Sequence, residues 1–306
     1  MKELIRFFSR WQNLLGLVIV AAYFFLAMAA PVLSPSENPE QPSPFKVVGR
    51  ATDRSPHPPG DQALLGTLPG QLDVYHTVVW GARSALRFGL VTALSTAALG
   101  VLIGAVSGTL GGVANSLMMR TTDAFLSFPV IAGVWLFQQI LLPPRIGGEL
   151  TTWLQKSVYG LNLNPVMVTF ILFSWMPCAR ITNTLVVQLR RVEYVVAARS
   201  LGAGNGRIIF RHLLPNALSP ALVLVARDVG AMVILESAFT FIGMGGSTEW
   251  GVLLVTGRDY VIGIGGDPLA YWWTFVPASV ALALFGIGWN LLGDGLNVRL
   301  NPRSAH

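Results

Sequence analysis

Six charged residues fall within or near the apolar stretches of this 306-residue chain: Arg87, Asp123, Arg180, Arg227, Asp228 and Glu236. A charge at the centre of a bilayer costs about 2.5–3.5 kcal/mol on insertion scales, so each is a candidate functional group. Arg87 and Arg180 lie near the ends of their stretches, where a long side chain snorkels to the interface. Arg227, Asp228 and Glu236 share one stretch. Asp228 and Glu236 are eight residues apart, about 800° of helix, so they fall within roughly 80° of each other on the wheel. A shared polar face toward a water-filled path is one expectation, with Arg227 the partner of one carboxylate. Ion pairing or packing, within the chain or against a second subunit, is the other.

No catalytic engine accompanies these charges. HExxH and GxSxG are both missing from the sequence. The three lysines, Lys2, Lys46 and Lys156, never follow a glycine, so there is no GxxxxGK[ST] loop to cradle ATP phosphates. His57, His76, His212 and His306 are expected outside the apolar stretches. That argues against a Ser-His protease or a histidine metal site inside a bilayer. Cys178 is the single cysteine, expected to be small and buried. The chain therefore reads as no enzyme, with no cofactor and no metal of its own.

The elements that position these residues follow from composition. Hydrophobic residues make up 53% of the chain and charged residues 12%, against about 25% charged in soluble domains. A polytopic membrane protein is expected. The net charge of +6 does not indicate nucleic acid, because the arginines are spread over short loops. Six apolar runs approach the ~20 residues that cross a bilayer: 14–33, 86–106, 124–142, 166–187, 217–243 and 271–292. The first follows Lys2, Arg6 and Arg10 and reads as a retained span, although Ala27-Met28-Ala29 also resembles a signal cleavage site. Residues 34–83, with eight prolines between Pro35 and Pro69, are expected to be irregular and external. Residues 84–306 form the expected five-helix core.

Six spans from an inside N-terminus place both termini in the cytoplasm. Eleven Lys and Arg then fall inside and seven outside. Gly100, Gly104 and Gly108, then Gly286 and Gly288, suit close helix packing in lipid. Pro129, Pro177 and Pro277 are expected to kink their helices.

One polar knuckle remains, EYVVAARSLGAGNGRIIFRHLLPNA at 193–217. With Arg190 and Arg191 before it, it carries Arg199, Arg207 and Arg211. Ala198 and Gly202 are four apart and would share a small-residue face on a helix. Gly202, Gly204 and Gly206 mark a break, and Pro215 suits the first turn of the following helix. The pattern predicts helix, turn, short helix and a new span. The orientation above puts it in the cytoplasm.

Residues 197–215 resemble the coupling-loop motif of ABC importer permeases: Glu-Ala-Ala, three residues, Gly, nine residues, Ile, one residue, Leu-Pro. Ala197, Ala198, Gly202, Leu214 and Pro215 match; Val196 replaces the glutamate and His212 the isoleucine. The text around them (AARSLGA, RIIFRHLLPN) is similar to the dipeptide, oligopeptide and nickel subfamily, from about residue 64 to the C-terminus. Residues 65–83 resemble its pre-helix segment, with Leu68 and Gln71 where an Asp and an Arg are usual. The resemblance implies an all-α integral membrane protein of six transmembrane helices with the type I ABC importer permease fold, seated in the inner membrane. It implies a coupling loop at 190–216 using Glu193, Ala197, Ala198, Gly202, Arg207, His212, Leu214 and Pro215. It implies a second permease in a heterodimer, two ABC ATPase subunits that bind the ATP, and an external solute-binding protein, with di- or oligopeptides as substrates. An ion-coupled secondary transporter is the alternative, kept open by Asp228 and Glu236 although the halves show no repeat. A membrane scaffold without transport is a third.

Overall fold

A computed structural model of the chain describes residues 10–40, 42–141, 153–160, 164–246, 248–262, 267 and 269–300. Lys2 and Arg6 of the expected basic flank, and His306, lie outside them. The described residues are mostly helical, with one two-residue antiparallel pair, β1 (Thr67–Leu68) and β2 (Leu72–Asp73).

The chain order is α1 (Trp11–Leu33), α2 (Val74–Leu110), α3 (Gly112–Leu126), α4 (Val130–Leu141) and α5 (Trp153–Gly160). It continues with α6 (Pro165–Ser174), α7 (Met176–Leu189), α8 (Glu193–Ser200), α9 (Asn205–Ile208), a π-turn (Ile209–Leu213), α10 (Leu214–Phe241), α11 (Glu249–Ile262) and α12 (Val276–Leu300). Five helical stretches are long and apolar enough to cross a membrane, and the bent pair α3–α4 makes up to six. The protein is a multi-pass membrane protein.

The prolines act in two ways. Ser127 and Phe128 end α3, and the chain turns by 96° into α4 around Pro129. Pro177 opens α7 after a break at Trp175. Pro277 does not kink a helix: it is the second residue of α12, where its missing N–H costs nothing. α2 begins at Val74, twelve residues before the expected span and inside the segment expected to be irregular. Asp73 explains this, because its Oδ1 accepts the backbone N–H of Tyr75 at 2.9 Å and of His76 at 3.3 Å. His76 is therefore inside a spanning helix, contrary to the expectation. It is fully buried between Ser34 Oγ at 2.7 Å and the Ser43 carbonyl at 3.0 Å.

The described chain divides into two units. One joins residues 90–228 to the last residues from 293. Here α2 lies backbone-to-backbone on α6–α7 along its glycines. A Cβ on Gly100 would sit 2.7 Å from the Trp175 oxygen, and one on Gly104 would sit 2.7 Å from Thr182 Cβ. A Cβ on Gly108 would sit 2.8 Å from Val186 Cγ1. Removing side chains at that spacing is what permits the approach. Cys178 is buried, as expected.

The other unit comprises residues 8–89 and 229–292. Its core is aromatic: Tyr23, Trp250 and Phe285 meet edge-on, with centroids 5.1–5.7 Å apart. Tyr23 Oη donates to the Ala281 carbonyl at 2.6 Å. Gly288 admits Ile19, whose Cγ2 a Cβ would approach to 2.6 Å. α1 is thus packed into this unit as a structural element.

Candidate functional site

The knuckle at 193–217 folds as a capped helix on a rigid base. Glu193 sits in the first turn of α8 and Arg199 in the last, each matched to the helix dipole. Gly202 ends α8 in the left-handed region, at φ +84°. The Ala203 N–H donates to the Ala198 carbonyl at 3.0 Å and the Gly202 N–H to Arg199 at 2.9 Å. Those two bonds define a Schellman turn, which demands a residue that tolerates positive φ. Gly202 is therefore past the helix end, not on a shared helical face with Ala198. A Cβ on it would meet nothing within 4 Å. Gly204 caps α9, while Gly206 lies within it and does not break it.

The base of the knuckle is apolar. Val195 from α8, Ile208 from α9 and Leu213 from the π-turn are fully buried with Ala105, Val186 and Ala217. Leu189, Ala203, Ile209 and Leu214 pack around them. Arg190 adds a polar strut, its Nη1 donating to the Gly108 carbonyl at 3.1 Å. The knuckle is thus fastened to both α2 and α7. Pro215 occupies the second position of α10.

The outer surface carries the opposite character. Leu201 is 89% exposed at the tip, and Val196 and Phe210 are also exposed. Ala197, Arg199, Arg207, Arg211 and Pro215 are exposed beside them, while Ala198, His212 and Leu214 are half-buried. The His212 carbonyl accepts from Asn216 Nδ2 at 2.7 Å. The knuckle thus presents an exposed leucine and three exposed arginines on a buried apolar base.

The charges in the spans separate from one another. Arg227 does not pair with Asp228 or Glu236; its Nη2 bonds Asp294 of α12. Arg180 pairs with Asp123 at 2.7 Å. Asp228 is half-buried with no hydrogen-bond or ion-pair partner among the described residues. Glu236 is fully buried. Its carboxylate accepts the Thr248 N–H at 3.1 Å, the Thr248 hydroxyl and the Thr240 hydroxyl. Those bonds close the loop between α10 and α11, so the wheel angle to Asp228 does not translate into a shared surface.

Residues 100–306 match the family described as the binding-protein-dependent transport system inner membrane component. The chain belongs to this family. A putative peptide transport system permease protein of Brucella suis is 31% identical over 302 residues, covering 97% of this chain and 90% of that protein. A dipeptide transport system permease protein of Alkalihalophilus pseudofirmus is 28% identical over 95% of this chain and 85% of its own length. A nickel transport system permease protein of Escherichia coli is 28% identical over 96% and 95%.

As a binding-protein-dependent inner membrane component, the chain is a transport subunit and not an enzyme. Membership also decides against the ion-coupled alternative. Two features of this component were missed in the sequence. α11 falls between two of the expected spans, where Glu249, Arg258 and Asp259 dilute its hydropathy. Glu249 is buried and accepts a hydrogen bond from Ser84. Burial pushes its carboxyl up to about 7, and nearby Glu236 adds to the rise.

Proposed function

We propose that this permease forms one half of the transmembrane path of an ATP-driven importer for di- or oligopeptides, or a similar small solute. A second permease completes the path as a heterodimer. An external binding protein delivers the solute, and one of two ATPase subunits docks on this knuckle. Both termini face the cytoplasm. The peptide reading draws on the names of the relatives above, among which nickel is the other substrate.

The observation that carries the proposal is the knuckle's two-sided construction. Its exposed tip offers Leu201 to a partner, and its core joins α8 to α2 and α7. A force on the tip reaches the spans through packed side chains and not through a flexible linker. Asp228, the unpartnered carboxylate in α10, lines the path in this reading, while Glu236 holds the loop after α10.

Pull-down of the ATPase tests it, normalised to permease in the membrane. Leu201→Asp should cut ATPase recovery about tenfold or more, the effect of losing ~1.4 kcal/mol of binding. Membrane levels should not change, since Leu201 buries almost nothing within its own chain. Undiminished ATPase recovery would remove the knuckle as the docking site.

A further inference from the structure

Within the unit of residues 8–89 and 229–292, two carboxyls are buried where α2, α10 and α11 meet: Glu236, 0% exposed, and Glu249, 8% exposed. They differ in what they are offered. Both oxygens of Glu236 face hydrogens, since the Thr248 N–H donates to Oε1 at 3.1 Å and the Thr248 hydroxyl donates to Oε2. That suits an anion, which only accepts. Ser84 of α2 reaches Glu249 Oε2, but the same hydroxyl stands 3.1 Å from the Gly81 carbonyl, one turn back in its own helix. A serine hydroxyl has one hydrogen. Turned to Gly81, it leaves two oxygens in contact at Glu249 unless Glu249 carries a proton and donates it to Ser84. Turned to Glu249, it gives up Gly81. One proton therefore decides how α2 and the start of α11 are joined.

We propose that this proton is a latch: while Glu249 holds it, the start of α11 stays fastened to α2 and α10, and its loss frees the loop between α10 and α11. Deprotonation would bury a second negative charge beside Glu236, and like charges in a shared apolar setting repel strongly. Burial holds the Glu249 carboxyl up to about 7, with Glu236 adding to the rise, although the backbone N–H of Glu249 favours the anion. The other titratable and charged groups of the packed elements are engaged elsewhere. Arg83 of α2 is exposed and lies over the Trp80 ring at 5.4 Å, Arg87 is exposed, and His76 bonds Ser34 and Ser43. Tyr23 of α1 gives its hydroxyl to the Ala281 carbonyl, and Asp294 of α12 pairs with Arg227. Arg258 and Asp259 lie more than two turns further along α11. The loop rests directly on the Glu236 carboxylate: a Cβ on Gly246 would lie 2.9 Å from Oε1. Gly243, Gly245 and Gly246 all take positive φ, so this seat is open to few other residues. α10 runs from the knuckle to this loop, and the latch therefore holds the end of the span opposite the knuckle.

Two measurements on the full chain in lipid nanodiscs test the latch. Infrared difference spectra follow the carbonyl stretch of a protonated carboxyl, in an Asp228→Asn background that removes the other half-buried acid of α10. The band should be present at pH 5 and titrate away with a midpoint near 7. Glu249→Gln should abolish it, while Glu236→Gln should keep it and move the midpoint down. Thiol labelling then follows the opening. Ser237 is buried on α10 in the groove that Leu254 of α11 also lines, so Ser237→Cys in a Cys178→Ala background reports α11 leaving α10. From pH 6 to pH 8 its labelling should rise about tenfold more than that of the same cysteine combined with Glu249→Gln, the linkage expected of a carboxyl that loses its proton on opening. The matched cysteine cancels the thiol's own response to pH. A band that survives Glu249→Gln, or is missing at pH 5, would overturn the proton assignment. Equal labelling responses with and without Glu249 would overturn the latch.

Discussion

Arg227 of α10 and Asp294 of α12 form an ion pair 67 residues apart in sequence. Gly293 makes room for it, since a Cβ there would lie 2.7 Å from Arg227 Cγ. Both partners are about half exposed in the chain, which in water would hold the pair near 0.2–1 kcal/mol. Arg227→Asp should lower the detergent melting temperature, and the swap Arg227→Asp with Asp294→Arg should restore it. A swap no better than the single change would show that the pair contributes nothing.

Gly202 should matter through its backbone. Gly202→Ala places a Cβ in open space but at φ +84°, and should cost about 1 kcal/mol. Gly202→Asn, which tolerates that region, should cost less. Gly206→Ala, within α9, should be neutral or stabilising. Protease cleavage rates of the knuckle would rank the three. Equal rates for Gly202→Ala and Gly206→Ala would contradict the Schellman assignment.

Val196 stands half exposed on α8, so Val196→Glu leaves no cavity and should be tolerated in membrane level and ATPase recovery. Gly202→Trp, in contrast, combines backbone strain with bulk on the proposed docking surface and should abolish ATPase recovery with normal membrane level. The same pull-down reads both; a collapse of recovery in Val196→Glu would show that the site excludes charge there.

Overpacking tests the contact of α2 with α7. Gly104→Leu forces a side chain against Thr182 and should destabilise by about 1–3 kcal/mol. Gly112→Ala is the control, with nothing near its Cβ position but a positive φ of its own. Thermal unfolding in detergent compares them. A Gly104→Leu protein as stable as wild type would mean the helices are not in backbone contact.

Glu249 predicts a pH dependence. Its carboxyl rises from 4.5 to about 7 in the folded chain. Below about pH 4.5 folded and unfolded chains both hold the proton, and no penalty exists. As pH rises toward 7 the unfolded chain releases it first, so stability falls; above about 7 the full penalty of roughly 3 kcal/mol applies. Glu249→Gln should therefore gain on wild type as pH rises from 5 to 8. A constant difference in melting temperature across that range would refute it.

Much of this was legible in residue order, for physical reasons that differ by element. The spans showed because twenty apolar residues leave little ambiguity. Gly202 and Pro215 showed because each backbone position demands a special residue. The start of α2 was hidden because His76 and Arg83 interrupt the hydropathy, while the cap that fixes it is a single side chain, Asp73. The partner of Arg227 was hidden because nearness in sequence favoured Asp228 and a tertiary contact with Asp294 won. The partner of Glu236 was hidden for a similar reason: the wheel angle says which way it points, not that Thr248 closes over it.

The π-turn at Ile209–Leu213 has a bearing on how such a chain tolerates change. A π-turn accommodates one residue more than an α-turn, so it uncouples rotational phase on its two sides. The knuckle and α10 then need not share a helical register. Removing one residue within 209–213 would relax the turn to ordinary helix and leave α10 otherwise intact. Losing one from 221–226 would rotate everything beyond it by about 100°. The chain thus carries, where the knuckle meets α10, a site where its length can vary without re-aiming that helix.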